Sequence, residues 1–142
     1  MPKSKHFVVD SSVIIKWLNH IDEDYIQQAQ RLLDHIEAGD VIAIIPDLVK
    51  YEVGNALLVK KGLNLTQANV SLGTVYNLPL TFVPMTQNLA ELTYKTGQEL
   101  NITFYDASFV SIAEQLGAVL VTDNVKHQGK STKVKVIPLK DY

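Results

Sequence analysis

The chain has no cysteine, a single arginine (Arg31) and no apolar run near the ~20 residues that a bilayer-spanning helix needs. Each shortage closes a class of reading. Without cysteine there is neither a disulfide framework nor a thiolate metal site, so an ion would be held by oxygen ligands or by the four histidines. Hard cations such as Mg2+ or Mn2+ fit that donor set best. His6, His20, His35 and His127 are scattered without metal-ligand spacing, which assigns them to surface or structural roles. With one arginine, bidentate recognition of phosphates or bases by this chain alone is limited. No signal-type apolar stretch follows MPKSKHF, so the expectation is a cytoplasmic protein with no membrane contact. Low-complexity tracts, Pro/Gly-rich linkers and internal repeats are also missing, and 1–142 reads as one domain. With 46% hydrophobic residues it can support one self-sufficient core.

The net charge of −2 provides no global attraction to nucleic acid. Its distribution is uneven. Lys126, Lys130, Lys133, Lys135 and Lys140, with His127, form an acid-free run directly after Asp123. Such a run is ordinarily a solvated loop and edge strand, although beside a carboxylate site it could hold a phosphate backbone.

Helical and strand patterns alternate. His6 to Val9 reads as a short buried strand, with Ser11 and Ser12 able to cap a helix through Leu18. Ile26, Ala29, Leu33 and Ile36 place a helix over Asp22–Ala38, stopped by Gly39. Val41 to Ile45 is a continuous β-branched run suited to a sheet covered on both faces. Asp47 can cap a helix running to Lys61, and a second helix spans Thr66 to about Tyr76. Leu80 to Val83 is a strand, Thr86 caps a helix to about Leu100, and Asp106 to Leu116 forms another, ending at Gly117. Ala118 to Val121 and Val134 to Ile137 complete the strands. Strands separated by helices imply right-handed crossovers, hence an α/β fold: a small, mostly parallel sheet between two helical layers.

Three acidic motifs cut across this pattern: VVDSS around Asp10, KYEVGNAL around Glu52, and FYDASFVSIAEQLGAVLVTDN with Asp106 and Asp123. Ligands of open parallel sheets bind beyond the carboxyl ends of the strands. Asp10 ends the first strand, Asp123 follows the fourth, and Glu52 sits in the second turn of the helix after the second; Asp106 must reach that edge from the start of its own helix. Every acid also has an ordinary reading. Asp10 could cap a helix, as could Asp106, and Asp123 with Asn124 could be a turn. Glu52 could pair with Lys60 or Lys61, yet Val49, Val53 and Ala56 put it on an apolar stripe. Gathered at one edge, four carboxylates repel one another and raise each other's proton affinity unless a cation intervenes. Such a set can hold one or two Mg2+ or Mn2+ ions, an arrangement that phosphodiester hydrolysis uses well.

Together the motifs VVDSSVIIKW, YEVGNAL and FYDASFVSIAEQLGAVLVTDN resemble the PIN-domain family, specifically its VapC-type ribonuclease toxins, over His6 to about Ile137. The resemblance implies a three-layer α/β/α sandwich and a Mg2+- or Mn2+-dependent endoribonuclease acting on RNA. Asp10, Glu52 and Asp106 match the first three family acids. It further implies a homodimer and a cognate antitoxin. The fourth family acid commonly stands two residues after the strand-terminal threonine, where this chain has Asn124 after Thr122 and Asp123. Either Asp123 substitutes through a small backbone shift or Asn124 supplies a neutral oxygen. Ser12 and Thr122 are candidates to support the ligands by hydrogen bonding. Phe104 and Tyr105 could stack on a base, or belong to core or interface. Leu63, Leu65, Val70 and Leu72 suggest a dimer face or core.

Two other classes compete. A catalytically weak PIN-like module binding RNA or protein would bind metal without turnover. A phospho-acceptor receiver domain would want an adjacent acidic pair after the first strand, where this chain has Ser11.

Overall fold

The computed structural model describes residues 5–142. Five strands, β1 (Lys5–Val9), β2 (Val41–Pro46), β3 (Leu80–Val83), β4 (Val119–Thr122) and β5 (Val136–Pro138), form one sheet in the order β3-β2-β1-β4-β5. Every pairing is parallel. β1 is central and wholly apolar at its inner end, with Val8 and Val9 fully buried, because both faces of a parallel sheet are covered by crossover helices. The strand order turns back at β1, with β2 and β3 on one side and β4 and β5 on the other. That is the switch point at which loops diverge and leave a crevice beyond the strand ends.

Helices α1 (Ser11–Leu18), α2 (Ile26–Glu37), α3 (Leu48–Asn55) and α4 (Leu65–Asn77) follow β1 and β2; α1 packs against the other three. On the other side, α5 (Gln87–Leu100) packs on α6 (Phe104–Leu116), and α6 lies across β1, β2 and β4. Phe109 and Ile112 of α6 and Leu120 of β4 are among the largest fully buried side chains, as are Ile14 of α1 and Leu32 of α2. No helix among the described residues is long and apolar enough to cross a membrane.

Element types agree with the sequence pattern; several ends move for identifiable reasons. The second helix begins at Ile26 rather than Asp22, since Asp22 and Tyr25 both adopt φ of 58°, a left-handed conformation that breaks helical propagation. Helix α6 starts two residues before Asp106, because the Thr103 side chain accepts the Asp106 N–H at 3.1 Å. Asp47 precedes α3 without a side-chain capping bond and pairs instead with Lys50 at 3.2 Å. Beyond Asn55 the same helix widens into a π-helical turn, Ala56–Lys60, where the Lys61 N–H reaches the Ala56 carbonyl at 2.9 Å. The fourth strand runs through Thr122, and the fifth is shifted to Val136–Pro138. Two short elements had no sequence signal, α7 (Val125–Gln128) and a 3-10 turn at Leu139–Asp141. His35 has a structural role: its Nδ1 is hydrogen-bonded with the Tyr142 hydroxyl, while Arg31 donates to the Tyr142 carbonyl at 3.0 Å.

Candidate metal centre

Beyond the ends of β1 and β4 lies a cavity of about 320 Å3, and Asp10, Glu52, Asp106, Asp123 and Asn124 all border it, together with Ser12. The side chains singled out in sequence are thus brought together, apart from Thr122, which stands behind Asp10.

Asp10 heads α1 but does not cap it through its side chain. Its Oδ2 accepts hydrogen bonds from Thr122 Oγ1 at 2.8 Å and Ser12 Oγ at 2.9 Å, and its Oδ1 accepts one from Ser11 Oγ at 3.3 Å. The Thr122 hydroxyl oxygen also accepts the Asn124 N–H at 2.8 Å, and Ser12 Oγ accepts the Asp123 N–H at 3.2 Å. The end of β4 is therefore tied to Asp10 through side chains, in continuation of the backbone bond from Asp10 N–H to the Val121 carbonyl at 3.1 Å. Burial pushes the Asp10 carboxyl above the usual aspartate range, the three hydroxyl-bearing neighbours pull it back in part, and the charge of Asp106 adds to the rise.

Glu52 enters from α3, whose buried stripe carries Val49 and Val53. Its Oε1 is buried and has no hydrogen-bond partner. Burial, then the nearby Asp10 charge, partly offset by the Ser11 hydroxyl, then Asp106, push its carboxyl up to about 7. Asp106 enters from the first turn of α6. Thr103 already satisfies its backbone N–H, so the carboxylate is not spent on capping; Oδ1 accepts one bond, from Asn124 Nδ2 at 3.3 Å. Among the described residues, none of Asp10, Glu52 and Asp106 is in an ion pair.

Glu23 and Asp123, which also border the cavity, have different surroundings. Lys16 Nζ, on a side chain only 3% exposed, sits 3.2 Å from Asp123 Oδ2 and 3.1 Å from Glu23 Oε1. Glu23 Oε2 in turn meets Lys61 at 2.7 Å and Lys60 at 3.3 Å, and the Lys61 ammonium also donates to the Ile21 carbonyl. Lys60 closes the π-helical turn and Lys61 follows it, and both reach Glu23 in the α1–α2 connection. Burial alone would raise the Glu23 carboxyl, but hydrogen bonds from Lys61, Lys16 and Lys60 overcome it and hold the group down to about 2. Sequence reasoning missed this network. Its visible signal was Lys16 four residues after Ser12, which puts an ammonium on the Ser12 face of an otherwise apolar helix.

The residues fit a divalent cation. No three His, Asp or Glu side chains among the described residues form a closed ligand cluster. Mg2+ needs none, since it usually takes one or two carboxylates and keeps several waters, which suits acids ranged around a cavity. The buried, unpartnered Glu52 Oε1 is the atom that a cation would relieve most directly.

Other expected contributors stand apart. The basic run after Asp123 does not border the cavity; Lys133 turns toward Glu99 and Glu114, at 3.7 and 3.8 Å, at the far end of α6. The cation that does border it is Lys60. Phe104 and Tyr105 are 40% and 61% exposed and edge a separate apolar cavity of about 330 Å3 with Tyr51 and Met85. Of the suggested dimer face, Leu65 and Val70 are exposed, whereas Leu63 and Leu72 pack against the core.

Comparison with known proteins agrees with this fold. PAE2754 from Pyrobaculum aerophilum is 25% identical and superposes with a TM-score of 0.66 over 96% of this chain and 90% of its own. VapBC2 from Rickettsia felis, solved bound to a DNA fragment from its promoter, matches at 16% identity and a TM-score of 0.72, over 94% of this chain and 98% of that one. VapC20 from Mycobacterium tuberculosis, described as a sarcin-ricin loop cleaving toxin, matches at 17% identity and a TM-score of 0.62, covering 79% and 84%. No curated protein sequence matches significantly. The profile of the PIN domain matches residues 7–129, a span that runs from β1 through α7 and contains every acid bordering the cavity. On that match and this fold, the chain belongs to the PIN domain family.

Proposed function

We propose that this PIN domain is a Mg2+- or Mn2+-dependent endoribonuclease, the toxin of a toxin-antitoxin pair. The observation that carries the reading is the wall of three unpaired carboxylates, with Glu52 Oε1 buried and unpartnered. VapC20, a protein of the same fold, is described as a sarcin-ricin loop cleaving toxin, which supports a cleaving toxin as the role.

Asp10, Glu52 and Asp106 would hold the ion, and a divalent cation bound there lowers the pKa of a water and polarises a phosphoryl oxygen. The protein's own residues do the rest. Ser12 and Thr122 fix the Asp10 carboxylate so that its orientation is set before any ion arrives. Asn124 steadies Asp106 through its amide, and Lys60, which borders the cavity with a side chain 61% exposed, offers an ammonium to an anionic oxygen of the substrate. Burial of Asp10 and Glu52 keeps bulk water from screening their charge. A cognate antitoxin and a second copy of the chain are proposed as partners on the resemblance to VapC toxins.

The test is RNA cleavage by the purified protein. EDTA should abolish it and Mg2+ or Mn2+ restore it. Cleavage that survives in the Asp10→Asn, Glu52→Gln double variant would contradict the mechanism, and metal binding with no turnover on any RNA would identify a binding module instead.

A further inference from the structure

The carboxylates that border the cavity fall into two sets, one without ion pairs and one with them. In one, Asp10, Glu52 and Asp106 contribute three carboxylates and no ion pair. In the other, Glu23 and Asp123 are bonded to Lys16, Lys60 and Lys61, of which Lys60 itself borders the cavity and Lys16 and Lys61 stand behind, so both carboxylates are neutralised from within the protein. Asp123 is therefore anionic in name only as far as a cation is concerned. One of its oxygens already faces an ammonium at 3.2 Å, and the Lys16 side chain is too buried to swing into water when an ion approaches. Lys16 is also fixed from its far side by Glu23 at 3.1 Å, so it acts as a permanent counter-ion. A second divalent ion at Asp123 would have to displace that ammonium from the Asp123 carboxylate. It would also find Asn124, a neutral side chain already donating to Asp106, as the next donor.

We propose that Lys16 withdraws Asp123 from metal coordination, so that the cavity takes a single divalent cation on the Asp10, Glu52 and Asp106 wall. Lys16 is a positioning residue, which acts through Asp123. The inference rests on the metal-site reading given under the proposed function and goes beyond it by fixing the number of ions and the reason for that number.

The experiment counts Mn2+ bound per chain by electron paramagnetic resonance of the free ion, on the full chain without RNA. The parent protein should bind one Mn2+, and Asp123→Asn should also bind one, with a Kd within about twofold of the parent's because Asp123 is not a ligand. Lys16→Met should bind a second Mn2+, weaker than the first, because it uncovers Asp123. A role for Lys16 in folding alone would leave that count at one. Two ions in the parent, one of them lost in Asp123→Asn, would overturn the inference while leaving the metal site standing; so would a folded Lys16→Met that still binds one. If Lys16→Met does not fold, the parent and Asp123→Asn counts decide. No Mn2+ bound by the parent would instead remove the metal-site reading, and the inference with it.

Discussion

Asp10 and Asp123 are two aspartates at the ends of neighbouring parallel strands, on the rim of the same cavity, and their surroundings give them opposite tasks. Asp10 is surrounded by hydroxyls and other carboxylates and holds its charge at a cost; Asp123 has a buried lysine against it. The same contrast holds between Glu52, pushed up to about 7, and Glu23, held down to about 2, although both lie beside the cavity. Carboxylates on the unpaired wall stand ready for a ligand of positive charge, while those on the paired wall hold chain segments together. Residue type does not distinguish the two walls; the presence of an ammonium does.

The comparison breaks most visibly through substitution on each wall. Glu52→Gln should lower RNA cleavage by more than the ~10–100-fold typical of groups that only orient a metal ligand. It should also raise the melting temperature of the metal-free protein at pH 8, because a buried, repelled charge is removed. Lys16→Met on the other wall should move stability the other way, lowering it by about 1.5–3 kcal/mol in urea unfolding, since it removes a charge-assisted hydrogen bond from Glu23 and the cation facing Asp123 while Lys60 and Lys61 stay on Glu23. If both substitutions move stability in the same direction, the contrast between the walls is wrong. Thr122→Val takes a hydrogen bond from Asp10 and another from the Asn124 N–H; it should cost ~10–100-fold in metal affinity or activity while the circular dichroism spectrum stays that of the parent. Lys60→Ala, which touches only the exposed end of the paired wall, should chiefly raise KM for RNA and flatten its salt dependence by about one phosphate contact.

The pH dependence separates the walls as well. Glu52 has a folded-state pKa above its unfolded value, so the folded state binds more protons between pH 4.5 and about 7. Stability of the metal-free protein should therefore fall as pH rises through that window, with Asp10 contributing in the same direction. Glu23 is depressed, and its contribution should be fully present above pH 4.5 and lost as pH falls toward about 2. Melting temperatures recorded from pH 3 to pH 8, with and without Mn2+, should show a decline above pH 5 that the ion reverses. A flat profile would mean that Glu52 keeps an ordinary pKa.

Much of this was legible in the sequence. The strands follow from continuous apolar runs, and Asp10, Glu52 and Asp106 stood out because each interrupts an apolar stripe at a strand end or helix start. What was hidden depended on long-range geometry. Lys61 reaches Glu23 across 38 residues, and Thr122 meets Asp10 across 112, pairings that no local spacing encodes. The π-helical turn that ends at Lys60 has no composition signal, since ALLVK reads as ordinary helix. The basic run after Asp123 keeps to its ordinary reading as a loop and edge strand: nearness in sequence to an acid did not bring it to the cavity, and Lys133, just before β5, faces Glu99 and Glu114 instead.

The central claim is that the unpaired wall is a cation site. Calorimetric titration of the parent protein with Mn2+ at pH 6 and pH 8, in two buffers of different ionisation enthalpy, addresses it without any RNA. Binding should be tighter at pH 8, should release protons at pH 6, and should weaken sharply in Glu52→Gln. Binding that is the same at both pH values, releases no protons and is untouched by Glu52→Gln would contradict the account.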